Sequence, residues 1–348
     1  MPKREYLALG LMSGTSLDGL DIALVRYSKE TSWKYEVLKT HFVAYTKEWK
    51  ERLESSIKLK EETLIKLDSD YGRLIGIEVR AFLKESKTKP QFIASHGHTV
   101  FHQPENGFTL QIGSGAQIAS IAGVKTICDF RSTDVALGGQ GAPLVPVADK
   151  YLFSNYDACI NIGGFANVSF PKSTPLLGFD ICPVNVLLNT YAQKVGQEYD
   201  KDGLIAAKGN LNKALLTKLL EATKGRTNSL GVEWVEQVLM PLLAINSSVE
   251  DIITTLTHYS AESIASVLTE KNCKTALLTG GGALNTYLVE QIKDMTACEI
   301  LVPEKECIEF KEAIAFGFLG VLRMEEVPNV YKSVTGASRD SVSGAIYL

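Results

Sequence analysis

The stretch LMSGTSLDGLD sets Ser13-Gly14-Thr15-Ser16 between two apolar runs and follows it at once with Asp18, Gly19 and Asp21. A bend of small residues lets main-chain N–H groups come close to a ligand. Serine and threonine hydroxyls add donors, and the combination suits the terminal phosphates of a nucleotide. Carboxylates beside such a bend would repel phosphate unless a divalent cation stood between them. Mg²⁺ is the natural candidate, held by Asp18 and Asp21 directly or through water, because it prefers oxygen ligands and keeps much of its hydration shell. Taken alone, the stretch reads equally well as a solvated loop. Two more glycine bends weaken that reading: Gly163-Gly164 in NIGGFAN, and Gly280-Gly281-Gly282 in TGGGALN, which follows an apolar strand and opens a helix near Asn285. The first would grip the phosphates from a second side. The other would give a base or ribose close passage and leave helix N–H groups for a polar group.

Strands and helices alternate along the chain, the signature of an α/β protein. Tyr6 to Met12, Asp21 to Tyr27 and Tyr35 to Tyr45 read as successive strands, and apolar spacing predicts a helix from about Glu61 to Ser86. A strand at Phe92 to Ser95 and a hairpin around Phe101 to Gln111 come next. The second half repeats the opening order, with strands at Tyr156 to Ile162, Ala166 to Phe170 and Leu176 to Asp180. A helix over Val249 to Glu270 and a strand over Thr275 to Leu278 complete it. Two lobes are expected, one from 1–128 with about 322–348 and the other from 129–321. The stretch DFRSTDVALGGQGAPLVP, polar and glycine-rich, fits a segment that lines a cleft while crossing between them.

Composition limits what these bends can serve. The 348 residues are 45% hydrophobic and 22% charged, the balance of a soluble globular protein large enough for two cores. A net charge of −4 without a basic run gives no footprint for nucleic acid or a membrane surface, so a small-molecule partner is expected. MPKREY lacks the apolar core of a signal peptide and no apolar run is long enough to span a bilayer, so a cytoplasmic location is expected. The six cysteines stand far apart with no Cys-x-x-Cys pair and read as buried thiols.

With these stretches in view the chain resembles the anhydro-N-acetylmuramic acid kinase family. The resemblance is carried, in order, by LMSGTSLDGLD, SHGHTVFHQP, CDFRSTDVALGGQGAPLVP, NIGGFANVSF, GFDICPVN, YDKDGLIAAKGN, TGGGALN and KEAIAFGFLGV. It implies a two-lobed actin-like ATPase (ribonuclease H-like) fold with an interlobe cleft, ATP and Mg²⁺ as cofactors, and a homodimer. It also implies phosphorylation of a 1,6-anhydro sugar from recycled cell wall, with hydrolytic opening of the anhydro ring. Water must then attack the anomeric carbon while O6 leaves and takes the γ-phosphoryl group, and a carboxylate is needed to activate that water. Asp180, in GFDICPVN, matches the family's catalytic aspartate; read without the resemblance, an aspartate at a strand end is equally a cap. Two departures adjoin it. Cys182-Pro183-Val184-Asn185 replaces the family's Gly-Pro-Gly-Asn, and Thr227 to Glu233 lacks the usual basic residues, so the turn and any charge contact from that loop are expected to differ.

The sugar needs polar partners as well. Arg131 offers a planar fork for the lactyl carboxylate of a muramic acid, or it is salt-bridged to Asp129 or Asp134 and shapes the crossing segment. Asp134 and Gln140 are candidates for sugar hydroxyls or the acetamido group. His96 and His98 share a face if the strand continues, and His98 is taken as ligand-facing in preference to a zinc triad with His102. Glu312 is read as opening an apolar helix, where the helix dipole alone would favour an acid; a sugar contact is the other reading. Two alternatives from other classes remain. QIGSGAQIAS resembles a dinucleotide-binding turn, but Ile118 stands where a third small residue is needed. A chaperone-like or binding-only ATPase of the same fold would share the glycine bends, although no peptide-binding domain is expected after residue 330.

Overall fold

The computed structural model describes residues 4–14, 17–225 and 230–348. Along the chain come strands β1 (Arg4–Met12), β2 (Gly19–Lys29), β3 (Trp33–Ala44), β4 (Phe92–Ser95), β5 (His98–Gln103), β6 (Phe108–Ile112) and β7 (Thr126–Cys128). Then follow β8 (Ala158–Ile162), β9 (Phe165–Phe170), β10 (Leu177–Pro183), β11 (Thr275–Thr279), β12 (Glu299–Leu301) and β13 (Ala345–Tyr347). The chain divides into two compact units, one running to Phe153 and resuming over Phe310–Leu348, the other Ser154–Glu309.

The boundaries fall later at the first crossing and earlier at the second than the expected 129 and 321. Hydrogen bonds give the reason: the 129–153 segment is tied to the C-terminal stretch of the first unit. Gln140 N–H donates to Thr335 O at 2.8 Å and Ser338 N–H to Leu137 O at 3.0 Å. The buried pair Lys311–Asp149, at 3.0 Å, adds a further link.

In the first unit the main sheet has the order β3-β2-β1-β4-β7-β13. β1, β2 and β3 form an antiparallel meander, and β4 and β7 continue parallel to β1. In the second unit the order is β10-β9-β8-β11-β12, again an antiparallel meander followed by two parallel strands. The same plan therefore occurs twice: third, second and first strands antiparallel, fourth and fifth parallel. This is the duplicated ribonuclease H-like plan that the sequence resemblance implies. β5 and β6 form a separate two-stranded ribbon in the first unit, slightly offset from the expected hairpin.

Local sequence explains the elements. In the helix Glu61–Ser86 the buried residues Leu64, Leu67, Tyr71, Ile75, Val79 and Phe82 recur every three or four positions and make one stripe against the first core. Each such side chain is worth about 1.5–3 kcal/mol of burial, an upper figure because the unfolded chain already hides part of it. The helix ends at Lys87, which takes a left-handed φ of 53°. Ser248 caps the helix Val249–Glu270 by accepting from Asp251 N–H at 3.1 Å, and Glu250 and Asp251 complement the dipole in its first turn. That helix carries much of the second core on Ile252, Ile253, Leu256, Tyr259 and Ile264. The helix Lys305–Met324 lies directly on the first sheet: a Cβ at Gly10 would fall 1.9 Å from Ala313 O, and one at Gly320 2.6 Å from the Phe92 ring.

Candidate active site

In the first unit, β1 runs into the serine-rich bend and β2 leaves it. Thr15 and Ser16 lie outside the described residues; Gly14 and Ser13 precede them. Ser13 is buried, and its Oγ accepts from Tyr45 O–H at 2.8 Å. Tyr45 in turn shares a 2.5 Å hydrogen bond with Tyr71 of the long helix. The root of the bend is thus tied to two elements, a support that the sequence reading missed. Leu17 closes the bend with a left-handed φ of 56° and an N–H to Gly14 O at 3.4 Å. Asp18 is exposed and its Oδ1 accepts Gly19 N–H at 3.0 Å. Burial pushes the Tyr45 hydroxyl up to about 12, and Asp21 and Asp18 push the same way, so both carboxylates act on the base of the bend.

Gly19 has a packing reason beside the one expected. It starts β2, is buried, and a Cβ there would meet Val43 O at 2.4 Å and the Phe42 ring at 2.5 Å. The neighbouring strand therefore demands glycine at that position. Asp21 sits on β2 opposite Met12.

The crossing segment of the same unit holds the expected sugar residues in two groups. Arg131 pairs with neither Asp129 nor Asp134. Its Nε and Nη2 donate to His96 Nε2 at 3.0 and 2.9 Å, and its Nη1 donates to Gly141 O at 2.7 Å. Asp129 instead accepts Ser132 N–H at 3.2 Å. Burial lowers Arg131 to about 10, against which Glu312 pulls upward; the same burial raises Glu312, against the pull of Arg131 and Lys311. Glu312 is half-buried and sits in the third turn of the helix Lys305–Met324. The helix dipole does not account for an acid so far from the helix start, so the nearby guanidinium is the relevant influence.

Asp134 departs from the expected sugar contact. It has no exposed surface; its Oδ2 accepts Gly141 N–H at 2.8 Å and its Oδ1 accepts the Thr335 hydroxyl at 2.7 Å. Both oxygens are engaged within the protein because the glycine-rich segment folds around them, and Asp134 fixes the loop that carries the Gly141 carbonyl. Gln140 beside it keeps an exposed side chain.

The histidines do not share a strand face. β4 ends at Ser95, Gly97 turns with φ 77°, and β5 starts at His98. His98 is buried, its Nδ1 lacks a hydrogen-bond partner, and burial lowers its pKa to about 4. Among the described residues no three histidine, cysteine or acidic side chains group as a metal site.

The second unit supplies the other two bends and the candidate base. β8 and β9 are joined through Gly163-Gly164, with Gly163 N–H donating to Phe165 O at 3.2 Å. A Cβ at Gly164 would meet nothing within 4 Å, and one at Gly163 only atoms at 3.6 Å, so the outer side of this bend is open. Its carbonyls face the start of the helix Asn185–Ala192, where Gly164 O accepts Val184 N–H at 2.8 Å and Gly163 O accepts Asn185 N–H at 3.3 Å.

Asp180 lies within β10, not at a strand end, beside an irregularity in pairing between Asp180 and Cys182. Such a bulge re-aims a side chain. Asp180 is paired with Asn167, Asn167 with Asn161, and Asn161 with Thr279, so four polar residues cross the sheet side by side. The Asp180 carboxylate is half-buried and its Oδ2 accepts Leu230 N–H at 2.9 Å. Leu230 belongs to the departing loop at Thr227 to Glu233, of which Thr227, Asn228 and Ser229 lie outside the described residues. Asn161 and Asn167 were missed by sequence reading, although their equal distance from Gly164 in NIGGFAN was the signal. At the departure the Cys182 and Val184 side chains join the core, and Val184 takes φ −127° and ψ −88°, outside the usual helical and extended regions.

The triple glycine divides its roles. Gly280 needs its φ of 80°, and a Cβ there would lie 2.6 Å from Asn161 Oδ1; a Cβ at Gly282 would lie 2.2 Å from Ile162. Only Gly281 faces open space. Asn285, expected at the nucleotide, also caps a helix: it is buried, and its Oδ1 accepts Leu288 N–H at 3.0 Å at the start of the helix Thr286–Asp294.

Comparison with known proteins complements this geometry. The family model for anhydro-N-acetylmuramic acid kinase matches residues 6–348. A protein of Shewanella denitrificans named anhydro-N-acetylmuramic acid kinase is 38% identical over 373 residues, 100% of this chain and 99% of the relative. One of the same name from Pseudomonas savastanoi is 35% identical over 367 residues, 99% of each. Among solved structures, a ROK family glucokinase from Streptomyces griseus, in complex with glucose and AMPPNP, aligns with TM-score 0.43 at 11% identity, covering 90% of this chain and 98% of its own.

Proposed function

The chain belongs to the anhydro-N-acetylmuramic acid kinase family, and from that premise we propose the following roles for its residues. The enzyme phosphorylates 1,6-anhydro-N-acetylmuramic acid at O6 with ATP and opens the anhydro ring by hydrolysis. The product is N-acetylmuramic acid 6-phosphate, within cell-wall recycling.

Asp180 is the general base. Its carboxylate takes a proton from water as that water attacks C1; the C1–O6 bond breaks, and O6 takes the γ-phosphoryl group of ATP, releasing ADP. The observation that carries this reading is the Asp180 carboxylate on an interrupted strand, in line with Asn167 and Asn161. Leu230 N–H holds one oxygen at 2.9 Å and so restrains the carboxylate, which suits a base that must meet one water.

Gly164 and Gly281, with open space where a side chain would stand, and Gly163, where a Cβ would meet only atoms at 3.6 Å, are proposed to admit the nucleotide, and the bend at Gly14 to Ser16 to receive phosphate. Asp18 and Asp21 fit Mg²⁺ by the chemistry of the donor set, two carboxylates close to one bend. Mg²⁺ bound there would neutralise phosphate charge. Arg131 is proposed to take the lactyl carboxylate, with His98, Gln140 and Glu312 against the sugar. A cytoplasmic homodimer completes the proposal; no described helix is long and apolar enough to cross a membrane.

The test is turnover of anhydro-N-acetylmuramic acid with ATP in ¹⁸O-water. Label at C1 of a 6-phosphorylated product is expected. Label appearing in inorganic phosphate, with the sugar unchanged, would overturn the assignment in favour of a plain ATPase.

A further inference from the structure

His96 is buried beside Arg131, and no role in the reaction has so far been given to it. Its hydrogen bonds fix its chemical form. A guanidinium only donates, so the 3.0 Å contact from Arg131 Nε and the 2.9 Å contact from Nη2 require His96 Nε2 to be an unprotonated acceptor. The proton then resides on Nδ1, which donates to Gly97 O at 2.9 Å. The ring also packs on Phe316, 4.7 Å between centroids, on the helix that carries Glu312. Burial, with the adjacent Arg131 charge and His98, holds the imidazole pKa well below its ordinary value, against the Gly97 and Ser13 main chains. The neutral tautomer is the resident form.

We propose that His96 is a positioning residue for Arg131: its single acceptor nitrogen, with the Gly141 carbonyl, fixes the plane and rotation of the guanidinium that meets the sugar's carboxylate. An arginine donates five N–H groups in one plane, and bidentate recognition needs two of them parallel and outward. His96 takes Nε and one Nη2 hydrogen, and Gly141 O takes one from Nη1. The remaining hydrogens on the two terminal nitrogens are left in a fixed plane. Without the acceptor the guanidinium can rotate about its last bonds, and its grip on a planar anion loosens while its charge stays.

The inference rests on Arg131 as the carboxylate-binding residue, so the experiment separates the two claims. The readout is the ratio of kcat/KM for 1,6-anhydro-N-acetylmuramic acid to that for 1,6-anhydro-N-acetylglucosamine, which lacks the lactyl group. Arg131→Met is expected to collapse this ratio; an unchanged ratio would overturn the carboxylate reading and the His96 proposal with it. His96→Met, similar in bulk but without the acceptor, is expected to lower the ratio about tenfold through KM for the muramic sugar, with kcat and KM for ATP within about twofold. His96→Gln, whose amide oxygen can reach the place of Nε2, is expected to recover most of the ratio. If Arg131→Met collapses the ratio while His96→Met leaves it intact, the proposal fails and the Arg131 reading stands. A loss of folded protein in His96→Met without any change of ratio in the folded fraction of either His96 variant would assign His96 to packing alone and likewise overturn it.

Discussion

Replacing Asp134 by asparagine separates a carboxylate that shapes a loop from one that touches sugar. The wild-type carboxylate accepts two hydrogen bonds, from Gly141 N–H at 2.8 Å and from the Thr335 hydroxyl at 2.7 Å. An amide has one acceptor oxygen. In the Asp134→Asn variant that oxygen keeps Gly141 N–H, and the amide N–H₂ then faces Thr335 Oγ1, whose hydrogen must turn to Tyr331 O at 3.4 Å. Two charge-assisted bonds are exchanged for neutral ones, a net loss of about 1–2 kcal/mol. Asp134→Ala leaves Gly141 N–H unpaired in a buried place, with Thr335 left only its long bond to Tyr331 O, and loses roughly 2–4 kcal/mol. For a unit of this size about 2–4 °C of Tm accompanies each kcal/mol. The unfolding midpoint of Asp134→Asn should therefore fall by about 2–8 °C and that of Asp134→Ala by more, while Asp134→Asn keeps its sugar KM within about threefold. Calorimetry and steady-state kinetics on the same preparations decide it. An asparagine variant with an unchanged midpoint and a sugar KM raised tenfold or more would refute the reasoning and return Asp134 to the sugar.

Asp180→Asn should lower kcat by about 10²–10⁴ with ATP affinity, measured by titration of a non-hydrolysable analogue, nearly unchanged; turnover close to wild type would remove Asp180 from the role of base. His98, with a folded pKa lowered to about 4 from 6.5, takes up its proton more readily in the unfolded chain. Stability is accordingly flat above pH 6.5 and falls as pH drops from there toward 4, by up to about 3 kcal/mol from this group. Denaturant midpoints across that window should decline less in His98→Gln, and parallel slopes would contradict the assignment. Gly280→Ala, forced into φ 80° with its Cβ against Asn161 Oδ1, should lose more than about 2 kcal/mol of stability; Gly281→Ala should fold normally and raise KM for ATP instead. Equal melting behaviour in those two glycine variants would mean that the open face at Gly281 is not where nucleotide enters.

Much of the architecture could be read before any coordinates because its signals are local. The stripe in Glu61–Ser86 and the capped run Val249–Glu270 carry helical spacing over about seven and six turns, and the structure keeps both spans as expected. Gly163-Gly164 was legible for the same reason, a short turn between alternating runs. Roles that depend on partners distant in sequence were not. Asp134 looked like a ligand because nothing near it announces Thr335, 201 positions away, as the partner of its Oδ1. Glu312 looked like a first-turn acid because the polar opening of its helix, Lys305 to Glu309, resembles a loop. His96 was read only alongside His98 because its partner is an arginine 35 residues on. Gly19 and Asn285 carry structural demands that sequence could not show, the first from a neighbouring strand and the second from a helix start.

Gly10 leaves one consequence for the enzyme's tolerance to change. With the carbonyl of Ala313 occupying the volume where a methyl would project, the strand and the helix meet as bare backbones, without a cushion of side chains that could be resized. Mutational drift in the surrounding core can therefore swap leucines and phenylalanines while Glu312, one residue before Ala313, keeps its height above the sheet. Residue 10 is the exception: even a single added carbon there would pry the helix upward and carry the acid with it.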